Sequence, residues 1–429
     1  MSFLDWASNL PATWRAKPLR AVADYTVSNV DKVPADNEAL VRLCNYTDVY
    51  NNEFITLDLD FMQATATAVE IEKFGLKVDD VVITKDSESW DDIGVPALVK
   101  ETAGDLVCGY HLAILRPHKQ VIDGAFLFRC LQAKPVRIQL ELAANGVTRF
   151  GIPKAAIGTV TLPTPPPLQQ RAITDYLDRE TARLDGLMAA KERVLALVAE
   201  KRRALITHAV TRGLDPRAPL RDSGIPWLGE IPGHWEIERT RWLFRERDER
   251  SETGEEELLT VSHLTGVTPR AEKDVNMFEA ETTEGYKICV AGDLVINTLW
   301  AWMGAMGVSP VNGIVSPAYN VYQPKQRLDP RFVDALVRIP VFAQEVTRYS
   351  KGVWSSRLRL YPEGFFEVFF PVPPIHEQRA IVAHIAAWTA KLDALRAATE
   401  RTIALLKERR SALIAAAVTG QLQLREVAV

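Results

Sequence analysis

The chain has 429 residues, of which 47% are hydrophobic and 25% charged, with a formal net charge of -4. That composition excludes a disordered tail and leaves room for two or three separate cores, while the acidic average removes global electrostatics as an argument for any nucleic-acid partner. The four cysteines, Cys44, Cys108, Cys130 and Cys289, form no C-x-x-C pair, so reduced, buried thiols are expected rather than a disulfide framework or a zinc site.

In chain order, the opening MSFLDWASNLPATWRAKPLR has no basic start followed by an apolar run, and no later stretch approaches a membrane span, so a cytoplasmic protein is expected. Short β-branched runs bounded by Gly, Asp or Asn predict strands at 40–49, 79–83, 112–115 and 157–162. The prolines of 163–167 suit neither a strand ladder nor a helix interior and read as a stiff hinge. Behind it, apolar residues recur at heptad spacing: Leu177, Leu184, Val198 and Leu205 on one position, Ile173, Leu187 and Val194 on the other. A helix of that length spans roughly 65 Å at about 1.5 Å per residue, too long for burial inside one small domain.

After a turn-rich linker, Asp222-Ser223-Gly224-Ile225-Pro226-Trp227-Leu228-Gly229, the pattern begins again. Leu10-Pro11-Ala12-Thr13-Trp14 returns as Ile231-Pro232-Gly233-His234-Trp235, and strands are expected at 258–267, 292–296, 318–322 and 365–370, with helix over 331–349. A second proline hinge at 371–374 precedes a second long helix, with Ile385, Leu392, Leu406 and Leu413 on one seam and Ile381 and Leu395 on the other. Residues 170–214 and 378–422 share 24 identities in 45 positions, so the chain is a tandem duplication. Two such helices are expected to pair, and seams interrupted by Lys191, Lys201, Thr399 and Arg409 suggest further contacts with a partner or with the globular parts.

The charge divides by segment. Residues 1–162 carry 16 Lys/Arg against 21 Asp/Glu and 215–369 carry 18 against 23, whereas 163–214 carry 9 against 6 and 370–429 carry 8 against 5. The globular parts are acidic and the helical parts basic. No phosphate loop, nucleophile elbow or H-E-x-x-H is present; His376-Glu377 has its next histidine, His384, eight positions on, and neither proline cluster follows Asn or Asp as an amino-methyltransferase motif requires. His111 and His118 read as packing or surface residues rather than ligands, and the acidic run 249–257 as a solvated loop.

Two mixed α/β units, each followed by Pro-Pro-x-x-E/Q-Q-x-x-I and a long helix, resemble the DNA-specificity subunit of type I restriction-modification systems. The resemblance covers nearly the whole chain and rests on Pro373-Pro374-Ile375-His376-Glu377-Gln378-Arg379-Ala380-Ile381, on Pro166-Pro167-Leu168-Gln169-Gln170-Arg171-Ala172-Ile173, on the linker, and on Gly313-Ile314-Val315-Ser316-Pro317-Ala318-Tyr319. The first copy departs from the pattern, with Gln169 where Glu377 stands and Cys108-Gly109-Tyr110-His111 in place of Ser-Pro-Ala-Tyr. The resemblance implies target-recognition domains at 1–162 and 215–369, each followed by a hinge and long helix at 163–214 and 370–429, with the helices paired as an antiparallel coiled coil that sets a spacer. It also implies double-stranded DNA as ligand and a subunit that catalyses nothing. Two methyltransferase subunits would carry S-adenosylmethionine and flip the target adenine, and two motor-nuclease subunits would carry ATP and Mg; no cofactor is expected on this chain. Base readout needs polar or basic side chains on groove-facing loops. The candidates are Lys85, Ser87 and Ser89 with Asn145, Thr148 and Arg149 in the first unit, and Asn297, Trp300 and Trp302 with Lys351, Trp354, Ser355, Ser356 and Arg357 in the second. The competing reading is a coiled-coil scaffold whose α/β units bind proteins.

Overall fold

The computed structural model describes residues 5–272, 282–352 and 358–422. The chain divides into two compact units, Met1–Glu192 with Arg401–Val429, and Arg193–Glu400. The long helices run Pro167–Arg212 and Ile375–Val418, so each unit holds one globular domain, the start of the helix that follows it and the end of the other long helix. Among the described residues, no helix is long and apolar enough to cross a membrane.

In the first unit a five-stranded sheet has the order Ala23–Val27, Leu112–Pro117, Val81–Thr84, Pro96–Val99, Phe54–Ile55, antiparallel except for the last pair. Val81–Thr84 is buried along its whole length, as its unbroken β-branched run demands. The helix Gly124–Gln132, capped by the Asp123 carboxylate on the Ala125 and Phe126 N–H groups, buries Phe126, Leu127, Phe128 and Leu131 in the same core. The second unit repeats the order with four strands, Phe244–Arg247, Tyr319–Pro324, Leu294–Asn297, Met306–Val308, and helices Pro330–Val337 and Pro340–Tyr349.

Several expected elements change character for local reasons. The strand expected over 40–49 stops at Cys44, because Asn45 caps a short helix, Tyr46–Asn51, and its own N–H donates to Asp48 at 2.7 Å. The run 258–267 is a hairpin of Leu259–Ser262 with Gly266–Pro269, and 331–349 is two helices because Pro340 starts the second. Regions 157–162 and 365–370 are each a helix end followed by a strand, Lys154–Thr159 then Thr161–Thr164, and Pro362–Phe365 then Phe369–Val372. Pro163 and Pro371 do sit in ladders, opposite Ala16 and Ile237. Both ladders have only two strands, so each proline strand has a free edge on which no N–H is required.

The hinge motif is explained by its glutamine. Gln170 is 1% exposed; its Oε1 accepts from the Asp123 N–H at 2.8 Å, and its Nε2 donates to the Val121 and Pro165 carbonyls at 2.9 and 2.8 Å. Gln378, fully buried, repeats this with the Asp329 N–H at 2.8 Å and the Arg327 and Pro373 carbonyls at 2.9 and 2.8 Å. Asp123 and Asp329 are the N-caps of the domain helices. One side chain thus ties the start of each long helix to the cap of the domain before it. The preceding position meets the tryptophan of the Leu/Ile-Pro-x-x-Trp phrase: Trp14 Nε1 donates to Gln169 Oε1 at 2.8 Å, and Trp235 Nε1 to Glu377 Oε2 at 2.9 Å. Gln169 therefore accepts the same bond as Glu377, and the departure in the first copy leaves the hinge intact.

The helix segments are antiparallel within each unit. In the first, Leu177 and Leu184 are buried, Leu406 and Leu413 half-buried, Ile173 and Leu177 share a core with Ile414, and Arg410 Nε donates to Asp185 at 2.8 Å. In the second, Val198 and Leu392 are buried, Leu205 and Ile385 half-buried, Arg202 pairs with Asp393, and Lys201 lies over the Trp388 ring. The other heptad position is less continuous: Ile173 and Ile381 are buried, but Leu187 and Leu395 are 43% and 47% exposed. The end of the second helix enters the core of the first unit through Ile414, Ala417 and Val418, and the end of the first enters the core of the second through Ala209 and Val210.

Candidate nucleic-acid interface

In the first unit, the two groups of candidates meet. A hairpin of Asn145–Gly146 with Phe150–Gly151 pairs with Asp86–Ser87, just past the end of the buried strand Val81–Thr84. The Ile152 N–H donates to the Lys85 carbonyl at 2.9 Å, which fixes the hairpin on the strand end. Gly146 sits at φ +150°, and a Cβ there would lie 2.0 Å from the Arg149 carbonyl oxygen, so the tight tip admits only glycine. Asn145, Thr148 and Arg149 are exposed on that tip, and Val147 between them is 92% exposed.

Beneath the hairpin lies a charged cluster. Asp86 accepts from Lys85 Nζ at 2.9 Å through Oδ1 and contacts His111 Nδ1 at 2.6 Å through Oδ2; His111 Nε2 is 3.2 Å from Arg149 Nη2. Burial pushes the Asp86 carboxyl up, but the bonds from Lys85 and His111 outweigh it and hold the group below the usual carboxylate range. Ser87 is buried, hydrogen-bonded to Tyr46 and accepting from the Ser89 N–H at 3.2 Å, so it builds the turn; Ser89 is exposed and bonds Asp91. His111, read from sequence as a packing or surface residue rather than a ligand, packs at the centre of this cluster. It is one of two non-glycine residues with positive φ among the described residues, at +70°. The departure Cys108-Gly109-Tyr110-His111 was the sequence signal that marked the spot.

The second unit repeats two backbone contacts of this scaffold among the described residues. The Leu360 N–H donates to the Thr298 carbonyl at 3.1 Å, as Ile152 does to Lys85, and Lys351 pairs in backbone register with Arg359 as Asn145 does with Gly151. Asn297 is 7% exposed and its side chain accepts from the Leu299 N–H, so it shapes the turn rather than the surface. Trp300 is half exposed and stacks on Trp302 with centroids 6.2 Å apart and planes 22° apart, while Trp302 Nε1 donates to the Leu299 carbonyl at 3.0 Å. Lys351 is exposed. Trp354, Ser355, Ser356 and Arg357 lie outside the described residues.

No family model matches the chain. The chain is 25% identical over 214 residues to the type I restriction enzyme EcoKI specificity subunit of Escherichia coli K12, a match that covers 48% of this chain and 44% of that one. It is 24% identical over 169 residues to the putative type I restriction enzyme MjaX specificity subunit of Methanocaldococcus jannaschii, covering 39% and 38%. The chain thus spans less than half the length of these curated relatives. Among solved structures, a chain from work on complex assembly and conformational transition of the type I R-M system superposes with a TM-score of 0.71 at 18% identity, over 96% of this chain and 99% of that one. The HsdS subunit from Thermoanaerobacter tengcongensis superposes with a TM-score of 0.54 at 17% identity, over 96% and 98%. With its two α/β domains, its long helices paired within each unit and this likeness in sequence and fold, the chain is similar to specificity subunits of type I restriction-modification systems.

Proposed function

We propose that the chain is a non-catalytic DNA-binding subunit that reads a bipartite duplex target, one half-site per unit, with the antiparallel helices setting the spacer between them. The observation that carries this reading is a backbone bond repeated at the same strand end in the two units, Ile152 to Lys85 and Leu360 to Thr298, beside Lys85, Asp86, His111 and Arg149 in one and followed by Trp300 and Trp302 in the other. A repeated scaffold with exchanged side chains suits two different short sequences read in the same way. The subunit acts in the cytoplasm with two methyltransferase subunits, which hold S-adenosylmethionine, and two motor-nuclease subunits, which hold ATP and Mg.

The test is a gel shift of the full chain, with and without a co-expressed methyltransferase subunit, on a random duplex pool followed by sequencing of the retained DNA. Enrichment of two short conserved blocks separated by a fixed run of unconserved positions supports the reading. Failure to retain DNA under either condition favours the protein-binding scaffold. Because the protein is acidic overall, retention should weaken with salt in proportion to local phosphate contacts rather than to net charge.

A further inference from the structure

We propose that Arg149 is a specificity-determining residue of the first unit, aimed by the Asp86–His111 pair at the O6 and N7 acceptors of a guanine in the major groove. This rests on the DNA-binding reading above. The direction of the hydrogen-bond chain is fixed by chemistry. An arginine has donors only, so the contact between Arg149 Nη2 and His111 Nε2 at 3.2 Å requires a lone pair on Nε2. The ring proton must then sit on Nδ1, where it is donated to Asp86 Oδ2 at 2.6 Å, while Lys85 Nζ holds the other carboxylate oxygen at 2.9 Å. One end of the guanidinium is thereby anchored, and the rest of its five-donor fork is left for a ligand.

The backbone supports the same conclusion. His111 adopts φ +70°, a left-handed conformation that a side chain with a Cβ rarely takes, and the Tyr110 ring packs against the imidazole with centroids 3.8 Å apart. Strain at a histidine whose ring bridges a half-buried carboxylate and an exposed arginine is spent on orientation. A phosphate contact has no need of it, since a mobile surface arginine finds a phosphate as a charge; a base edge does, because only a fixed planar fork meets two acceptors at once. Guanine is the base that presents two acceptors side by side in the major groove. The second unit lacks the device: strand Leu294–Asn297 corresponds to Val81–Thr84, and the positions of Asp86 and His111 are taken by Leu299 and Ala318. The Asp–His pair that aims the arginine is therefore particular to the first unit among the described residues.

The experiment is selection from a duplex library by the full chain with its methyltransferase subunit. Wild type should enrich a guanine at one position of one half-site. Arg149→Ala and Arg149→Lys should lower discrimination at that position by roughly 5- to 150-fold and leave the other half-site unchanged. His111 acts as a positioning residue; His111→Gly removes its ring while relieving the positive φ, so circular dichroism should show the variant folded while the guanine preference is lost. His111→Gln, which returns an acceptor near the place of Nε2, should restore part of it. Unchanged discrimination in Arg149→Ala, or in His111→Gly, overturns the proposal while DNA binding stands; a wild-type protein that enriches no motif overturns the DNA-binding reading itself.

Discussion

Replacing Gln378 by leucine removes one amide and orphans three backbone groups, the buried Asp329 N–H and Pro373 carbonyl and the half-buried Arg327 carbonyl. Each unpaired buried group costs about 1–3 kcal/mol, and the added apolar surface of leucine returns about 1–2 kcal/mol. Relaxation of the hinge and entry of water trim the upper end, so the expected net loss is about 1–6 kcal/mol. Gln170 makes the same three bonds at nearly the same distances, so Gln170→Leu should lose a similar amount. The assay is denaturant unfolding of both variants, followed by circular dichroism and by tryptophan fluorescence, because a chain of two units need not unfold in one step. A loss below about 1 kcal/mol in either variant, or a large difference between the two, would refute the claim that this side chain fastens each long helix to its domain.

Gly420→Ala should be destabilising by more than about 2 kcal/mol in thermal melts, because Gly420 has φ +74° and a Cβ would lie 2.4 Å from Pro11 Cδ, where the second helix docks in the first unit. The four cysteines are all buried, with their thiols pushed up by burial, that of Cys289 to about 12, so a thiol reagent at neutral pH should label none of them in the native protein and all of them in denaturant. Rapid native labelling at any of them would contradict the packing. Matched seven-residue insertions after Glu192 and Glu400 keep the heptad phase, lengthen each helix by about 10 Å and should lengthen the preferred spacer by about three base pairs. The measurement is the recovered DNA motif, and an unchanged spacer would remove the ruler role.

Much of the frame was legible in the sequence because duplication writes it twice. The Pro-Pro-x-x-x-Gln phrases, the two Trp phrases and the heptads Leu177, Leu184 and Leu392 mark the hinges and seams directly. What the motif could not show was the bonding of Gln170 and Gln378, whose partners lie about fifty positions upstream on loops without a signature of their own. Local overrides caused the misread elements: an Asn45–Asp48 cap converted the end of a strand into a helix, and Pro340 split one helix into two. The candidate cluster was only partly legible. Polar residues at strand ends pointed to 85–89 and 145–149, but the pairing that joins them is long-range, and the role of His111 depends on a left-handed backbone that composition does not encode.

Bipartite recognition can be read out by sequencing methylated adenines in cells that carry this chain and a methyltransferase subunit, before and after residues 1–162 are replaced by the matching domain of another specificity subunit. On the proposed reading, separate cores in the two units make recognition modular. The expected result is a bipartite motif in which the exchange alters one half-site and preserves the other half-site and the spacer. A motif with a single block, or an exchange that changes both halves together, would contradict it.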